Sequence, residues 1–85
     1  MPRTPQLCRT ALHILRECAG HPLPEPTLHQ HLNARERPSL TEAEFSTVIA
    51  TLMQEGCITA MKGEFLDPAP RWLITEKGEA ALLKH

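Results

Sequence analysis

Six consecutive residues, Leu40-Thr41-Glu42-Ala43-Glu44-Phe45, constrain this chain more than any other feature. Thr41 is a helix N-cap, and Glu44 three residues on completes a capping box, in which hydroxyl and carboxylate each satisfy a backbone N–H of the other. Leu40 before the cap and Phe45 after it close a hydrophobic staple. Phe45, Val48, Ile49, Leu52 and Met53 then recur at helical spacing, and Gly56 supplies the left-handed residue that ends a helix. The pattern predicts a helix over about 42–55. Cys57-Ile58-Thr59-Ala60-Met61 follows as a short strand with Ile58 and Ala60 inward, and Arg71-Trp72-Leu73-Ile74 alternates as its return strand. Together they make a two-stranded hairpin over about 57–74, with a long irregular connection between the strands. Thr75 caps a last helix over about 76–84, where Glu76 suits the positive end of the dipole, Gly78 allows close packing, and Leu82 and Leu83 finish the apolar side.

The N-terminal half is punctuated by prolines, none of which interrupts a periodic segment. Thr4-Pro5 opens a first helix over about 5–19, with Thr4 as cap, and Gly20 ends it. Cys8, Ala11, Leu12, Leu15, Cys18 and Ala19 fall within about 80° of one direction, with Arg9, His13, Arg16 and Glu17 opposite. Leu7 and Ile14 lie on the flank of this stripe, where they face either the core edge or a second subunit. His21-Pro22-Leu23-Pro24-Glu25-Pro26 cannot be helical throughout, because each residue before a proline is pushed toward extended geometry; Leu23 anchors this segment to the core. Pro26 suits the first turn of a second helix, about 26–33, whose buried pair is Leu28 and Leu32. Asn33-Ala34-Arg35-Glu36-Arg37-Pro38-Ser39 is a polar turn leading to Leu40.

The order helix, extended segment, helix, capped helix, strand, strand, helix resembles the winged helix-turn-helix superfamily, and two local patterns sharpen the likeness. Leu52-Met53-Gln54-Glu55-Gly56-Cys57-Ile58 is similar to the junction from recognition helix to wing in that family. Arg71-Trp72-Leu73-Ile74-Thr75-Glu76-Lys77-Gly78 is similar to the junction from wing to last helix. The resemblance spans essentially all 85 residues. It implies one mainly α-helical domain with a small antiparallel β wing, and often DNA binding by the third helix and wing. Winged helices also serve as protein-interaction and dimerisation modules, so the fold does not fix the function.

Charge argues for restraint. The formal net charge is −1, whereas a dedicated DNA-binding domain is usually basic. Residues 1–40 carry five Arg against three Glu, and residues 41–85 carry four Lys or Arg against seven Asp or Glu. Any nucleic-acid footprint must therefore be local. Arg35 and Arg37 precede the capped helix while Lys62 and Arg71 bracket the wing, places from which all four can approach one strand of a duplex. The alternative is that they are solvated loop charges beside Glu36 and Glu64.

On the third helix, the face opposite the apolar stripe holds Ala43, Thr47, Ala50, Thr51 and Gln54, with Ser46 at its border. It is small and uncharged. Such a face lets the backbone approach a groove floor so that Thr47, Thr51 and Gln54 touch base edges, with Gln suited to adenine. It suits packing against another protein's helix equally well. Phe65 and Leu66, adjacent and apolar near a turn tip, either fold under Trp72 or form a contact with a partner.

Other chemistries lack their residues. His29 and His31 project about 200° apart on a helix and cannot chelate from one face. No C-x-x-C or H-x-x-x-H pattern occurs, and Cys8 and Cys18 lie on the apolar face, so no metal or other cofactor is expected. No phosphate loop or nucleophile elbow is present, so no catalytic residue is assigned. An odd count of three cysteines, with no signal peptide or long apolar run, fits a cytoplasmic chain with reduced thiols and no membrane anchor. The sequence reads best as a non-enzymatic regulator that binds duplex DNA as a dimer. The alternative is a protein-interaction or dimerisation module that docks through Leu7, Ile14, Phe65 and Leu66.

Overall fold

The computed structural model describes residues 3–18, 21–61 and 70–83. Its elements run α1 (Thr4–Glu17), β1 (Leu23–Pro24), α2 (Glu25–Arg35), α3 (Glu42–Gln54), β2 (Ile58–Met61), β3 (Arg71–Ile74) and α4 (Glu76–Leu83). Helices α2 and α3 each pack on α1, and α4 returns against α1. The strands form one antiparallel sheet in the order β1-β3-β2, with Trp72 opposite both Leu23 and Ala60. Pro24, which lacks an N–H, is tolerated because β1 is an edge strand.

The core is a single cluster that fills the space between helices and sheet. Leu7, Ile14 and Leu15 from α1, Leu28 and Leu32 from α2, and Val48 from α3 are the most deeply buried large side chains. Ile58 and Trp72 close it from the sheet, and Leu82 from α4. The hydrophobic staple is in place as burial: Leu40 and Phe45 both belong to the core.

Several expectations need correction. Leu7 and Ile14, read as facing either the core edge or a second subunit and offered as interface residues, are each 1% exposed and belong to the core. The reason is that α1 packs against α2, α3, α4 and β3 at once, so its buried arc is wider than that of a surface helix. Arg3, not Thr4, is the N-cap of α1; Thr4 is its first helical residue, and no side chain caps that end. Helix α2 begins at Glu25 and continues to Arg35, absorbing Asn33, Ala34 and Arg35 from the expected turn; it stops where Glu36 turns extended, two residues before Pro38. Ala60 is exposed, as is every residue of β2 after Ile58. Met53, at the edge of the α3 stripe, is 48% exposed, and Leu83 at the end of α4 is 75% exposed. Ala19, Gly20, Lys62, Phe65 and Leu66 lie outside the described residues.

The candidate nucleic-acid interface

Helix α3 is fixed at both ends by local chemistry. At its N-terminus the Thr41 hydroxyl accepts from the Glu44 backbone N–H at 3.1 Å, and the Glu44 carboxylate accepts from the Thr41 N–H at 3.3 Å. Glu44 also receives both arms of Arg3, Nε on Oε2 and Nη2 on Oε1, each at 3.0 Å. This fork holds the Glu44 carboxyl below the usual carboxylate range and ties the start of α1 to the start of α3. At the other end Gly56 takes φ +73°, the left-handed geometry that favours glycine. The next stretch is locked to α4. Thr75 donates its N–H to the Cys57 carbonyl at 3.0 Å and its hydroxyl to the Gly56 carbonyl at 2.7 Å, and accepts from the Gly78 N–H at 3.1 Å.

Between these anchors α3 presents its outer face to solvent. Ala43, Ser46, Thr47, Ala50 and Gln54 are exposed, and Thr51 is half-buried. Both threonine hydroxyls are committed inward: Thr47 donates to the Ala43 carbonyl at 2.9 Å and Thr51 to the Thr47 carbonyl at 2.8 Å. Each has given up its proton yet keeps acceptor capacity on its oxygen, with a methyl group beside it.

Helix α2 is held against α3 by an aromatic stack. The His29 ring lies 4.5 Å from Phe45, nearly coplanar at 6°, and its Nε2 donates to the Leu40 carbonyl at 3.1 Å. Asn33 accepts from the Leu40 N–H at 2.8 Å. Beside this stack a hollow of about 310 Å³ is lined by Glu25, Pro26, His29, Glu42, Phe45 and Ser46. That corner is acidic. The N-terminus of α2 is a poor anion site, since Pro24 and Pro26 have no N–H and the Glu25 N–H is spent on the Pro70 carbonyl at 3.2 Å.

The cations are placed unequally. Arg35, the last residue of α2, donates to Glu17 at 2.9 Å across an open surface. Arg37 is exposed and has no ion-pair partner among the described residues. Arg71 starts β3, opposite Pro24 and Met61, and is half-buried. With Trp72 inward, strand alternation puts it on the outer side of the sheet. A second, apolar groove of about 630 Å³ runs between α1, the end of α3 and α4, with Cys8, Leu12, Leu52, Cys57, Ala81 and Leu82 on its walls. Burial, and after it the neighbouring Cys57, pushes the Cys8 thiol up, away from the reactive thiolate. Among the described residues no three His, Cys, Asp or Glu side chains are grouped to hold a metal ion.

Comparison of the structure with solved ones decides the fold. A transcriptional regulator (so assigned) from Thermoplasma acidophilum superposes with a TM-score of 0.79 at 14% identity, over 96% of this chain and 76% of that one. A PadR-like transcription factor from Bacteroides fragilis gives 0.78 at 19% identity, over 96% and 78%. F93 from STIV, a winged-helix DNA-binding protein, gives 0.70 at 13%, over 99% and 85%. The chain has the winged helix-turn-helix fold. No family model matches its sequence, and no curated protein does.

In this winged helix α3 stands where the resemblance places the recognition helix, and β2 and β3 are the strands of the wing. Arg35 ends α2 against Glu17 of α1 and Arg37 is exposed in the turn that leads to α3; Arg71 belongs to the sheet, and Lys62 is outside the described residues. Two features of the site were missed from the sequence. The two missing donors of the Pro24-Glu25-Pro26 run were legible in the sequence as a weakened anion site. The pairing of Arg35 with Glu17 was not, since nothing local links residues 18 positions apart.

Proposed function

We propose that this winged helix binds duplex DNA through α3 and acts by occupying its site, as a transcriptional or accessory regulator with no chemistry of its own. The observation that carries this reading is the outer face of α3: small, uncharged, solvent-facing, and anchored at both ends. Its likeness in fold to transcriptional regulators and a DNA-binding protein supports the same reading.

The acidic corner formed by Glu25 and Glu42 repels phosphate, so the groove contact centres on Thr47, Ala50, Thr51 and Gln54 rather than on the first turn. With their protons donated inward, Thr47 and Thr51 offer acceptors to base amino groups and methyl groups to the thymine methyl, and Gln54 suits adenine. The preferred site is therefore rich in A·T pairs where the helix enters. Arg37, Arg35, Lys62 and Arg71 serve as phosphate contacts. The Arg35–Glu17 pair does not forbid this, because exposed ion pairs are worth only about 0–1 kcal/mol and exchange readily. Binding as a dimer doubles a small set of contacts. With Leu7 and Ile14 in the core, that dimer does not form through them. No helix among the described residues is long and apolar enough to cross a membrane.

Ala50→Glu tests the reading. Residue 50 is exposed on the outer face of α3, so the substitution leaves the core intact. It is expected to abolish duplex binding while the melting temperature stays within about 2 °C, a surface-sized effect. Unchanged DNA affinity in this variant would remove α3 as the reading element.

A further inference from the structure

Glu36 is the most buried charged side chain among the described residues, at 9% exposure, and the DNA-binding reading assigns it no role. It sits between Arg35 and Arg37, in the turn from α2 to α3. Its carboxylate accepts from the Thr10 hydroxyl at 2.6 Å and from the Gln6 side-chain amide at 2.9 Å, both on α1. The Thr10 hydroxyl also lies 3.1 Å from the Gln6 carbonyl, but its single proton goes to the shorter, charged acceptor. The Glu36 N–H caps α2 by donating to the Leu32 carbonyl at 2.8 Å.

The turn that carries Arg37 is tied down on both sides. Arg35 is held by Glu17 of α1, Glu36 by Gln6 and Thr10 of α1, and Leu40 by Asn33 and His29 of α2. Arg37 itself is exposed, with no ion-pair partner among the described residues. Placing a carboxylate beside a phosphate-contacting arginine is electrostatically adverse, and burying it costs desolvation. Both costs make sense if the carboxylate fixes the turn.

The geometry points to Glu36 as a positioning residue: by clamping the α2–α3 turn to α1, it sets the direction in which Arg37 meets a DNA phosphate. The inference rests on the DNA-binding reading. It makes a prediction opposite in sign to simple electrostatics. Removing a negative charge near a polyanion should tighten binding, whereas releasing the clamp should weaken it.

The experiment measures duplex DNA affinity and its salt dependence for the full chain and for Glu36→Ala, Arg37→Ala and the double variant. Should Glu36→Ala fold poorly by circular dichroism, Thr10→Val with Gln6→Met breaks the same clamp from α1, away from the DNA. The expected result is a fall of about tenfold on releasing the clamp, the scale of one charged hydrogen bond. The salt slope should shrink by about 0.9, one phosphate contact, and no further loss should follow when Arg37 is already alanine. Affinity that rises or stays level on releasing the clamp, or losses that add independently to Arg37→Ala, would overturn the positioning role while leaving DNA binding intact. Absence of duplex binding by the unsubstituted chain at about 50 mM salt would overturn both together.

Discussion

Glu44 shows how much one side chain carries in a domain this small. It completes the capping box of α3 and anchors the bidentate Arg3 fork, so it fixes the start of two helices at once. Its carboxyl is held low first by the Arg3 hydrogen bond and then by the Thr41 backbone. A depressed carboxylate contributes stability that is fully present above its unfolded value, 4.5, and is lost as pH falls through the folded one. Glu44→Gln keeps the capping-box geometry and removes the charge. Thermal unfolding from pH 7 to pH 3 should therefore show a gap between the two proteins that is constant above about pH 5 and closes below pH 4.5. A gap independent of pH would mean the charge contributes nothing. The same scale explains the acidic entrance to α3. Glu42 favours the helix dipole, worth about 0.3–1 kcal/mol, at the cost of repelling phosphate from the first turn.

Elements whose signals are local were legible in the sequence. The capping box at Thr41 and Glu44, the left-handed Gly56 and the Thr75 cap are each written within four residues, and each is present in the structure. Gly78 illustrates a local signal with a long-range cause. A Cβ there would lie 2.8 Å from Ile74 Cγ1 and closer still to the Cys57 carbonyl oxygen, because α4 is drawn against the start of β2 by Thr75. Alanine gains up to about 1 kcal/mol over glycine in an open helix, but here it meets backbone that cannot move aside. Gly78→Ala should destabilise the domain by about 2 kcal/mol, read as a lower urea midpoint. A midpoint at or above that of the unsubstituted chain would mean α4 does not dock this closely. What the sequence hid follows from the same distinction. Leu7 and Ile14 looked peripheral because periodicity describes one helix at a time, whereas four elements surround α1. Glu36 read only as part of a polar turn because its partners lie 26 and 30 residues away. Of the candidate site, the α3 face was readable from angular spacing, while the availability of its cations depended on pairings that no spacing encodes.

The whole molecule carries a net charge of −1, yet its proposed partner is a polyanion. The resolution is spatial. Glu25 and Glu42 gather at one corner of the helix-turn-helix, Arg37 is exposed at the turn, and the outer face of α3 carries no charge. A chain of this kind gains little from long-range attraction, so its binding depends on a few phosphate contacts placed well and on their repetition in a dimer. The most direct test is the anisotropy of a labelled A·T-rich duplex at about 50 and 200 mM salt, with the mass of the protein in solution recorded alongside. Four contacts per subunit predict a slope of about −3.6, a fall of roughly a hundredfold across that range, and about twice that slope for a dimer. Binding that ignores salt, or no binding at the lower concentration, would contradict the account and leave the face of α3 to be explained by a protein partner.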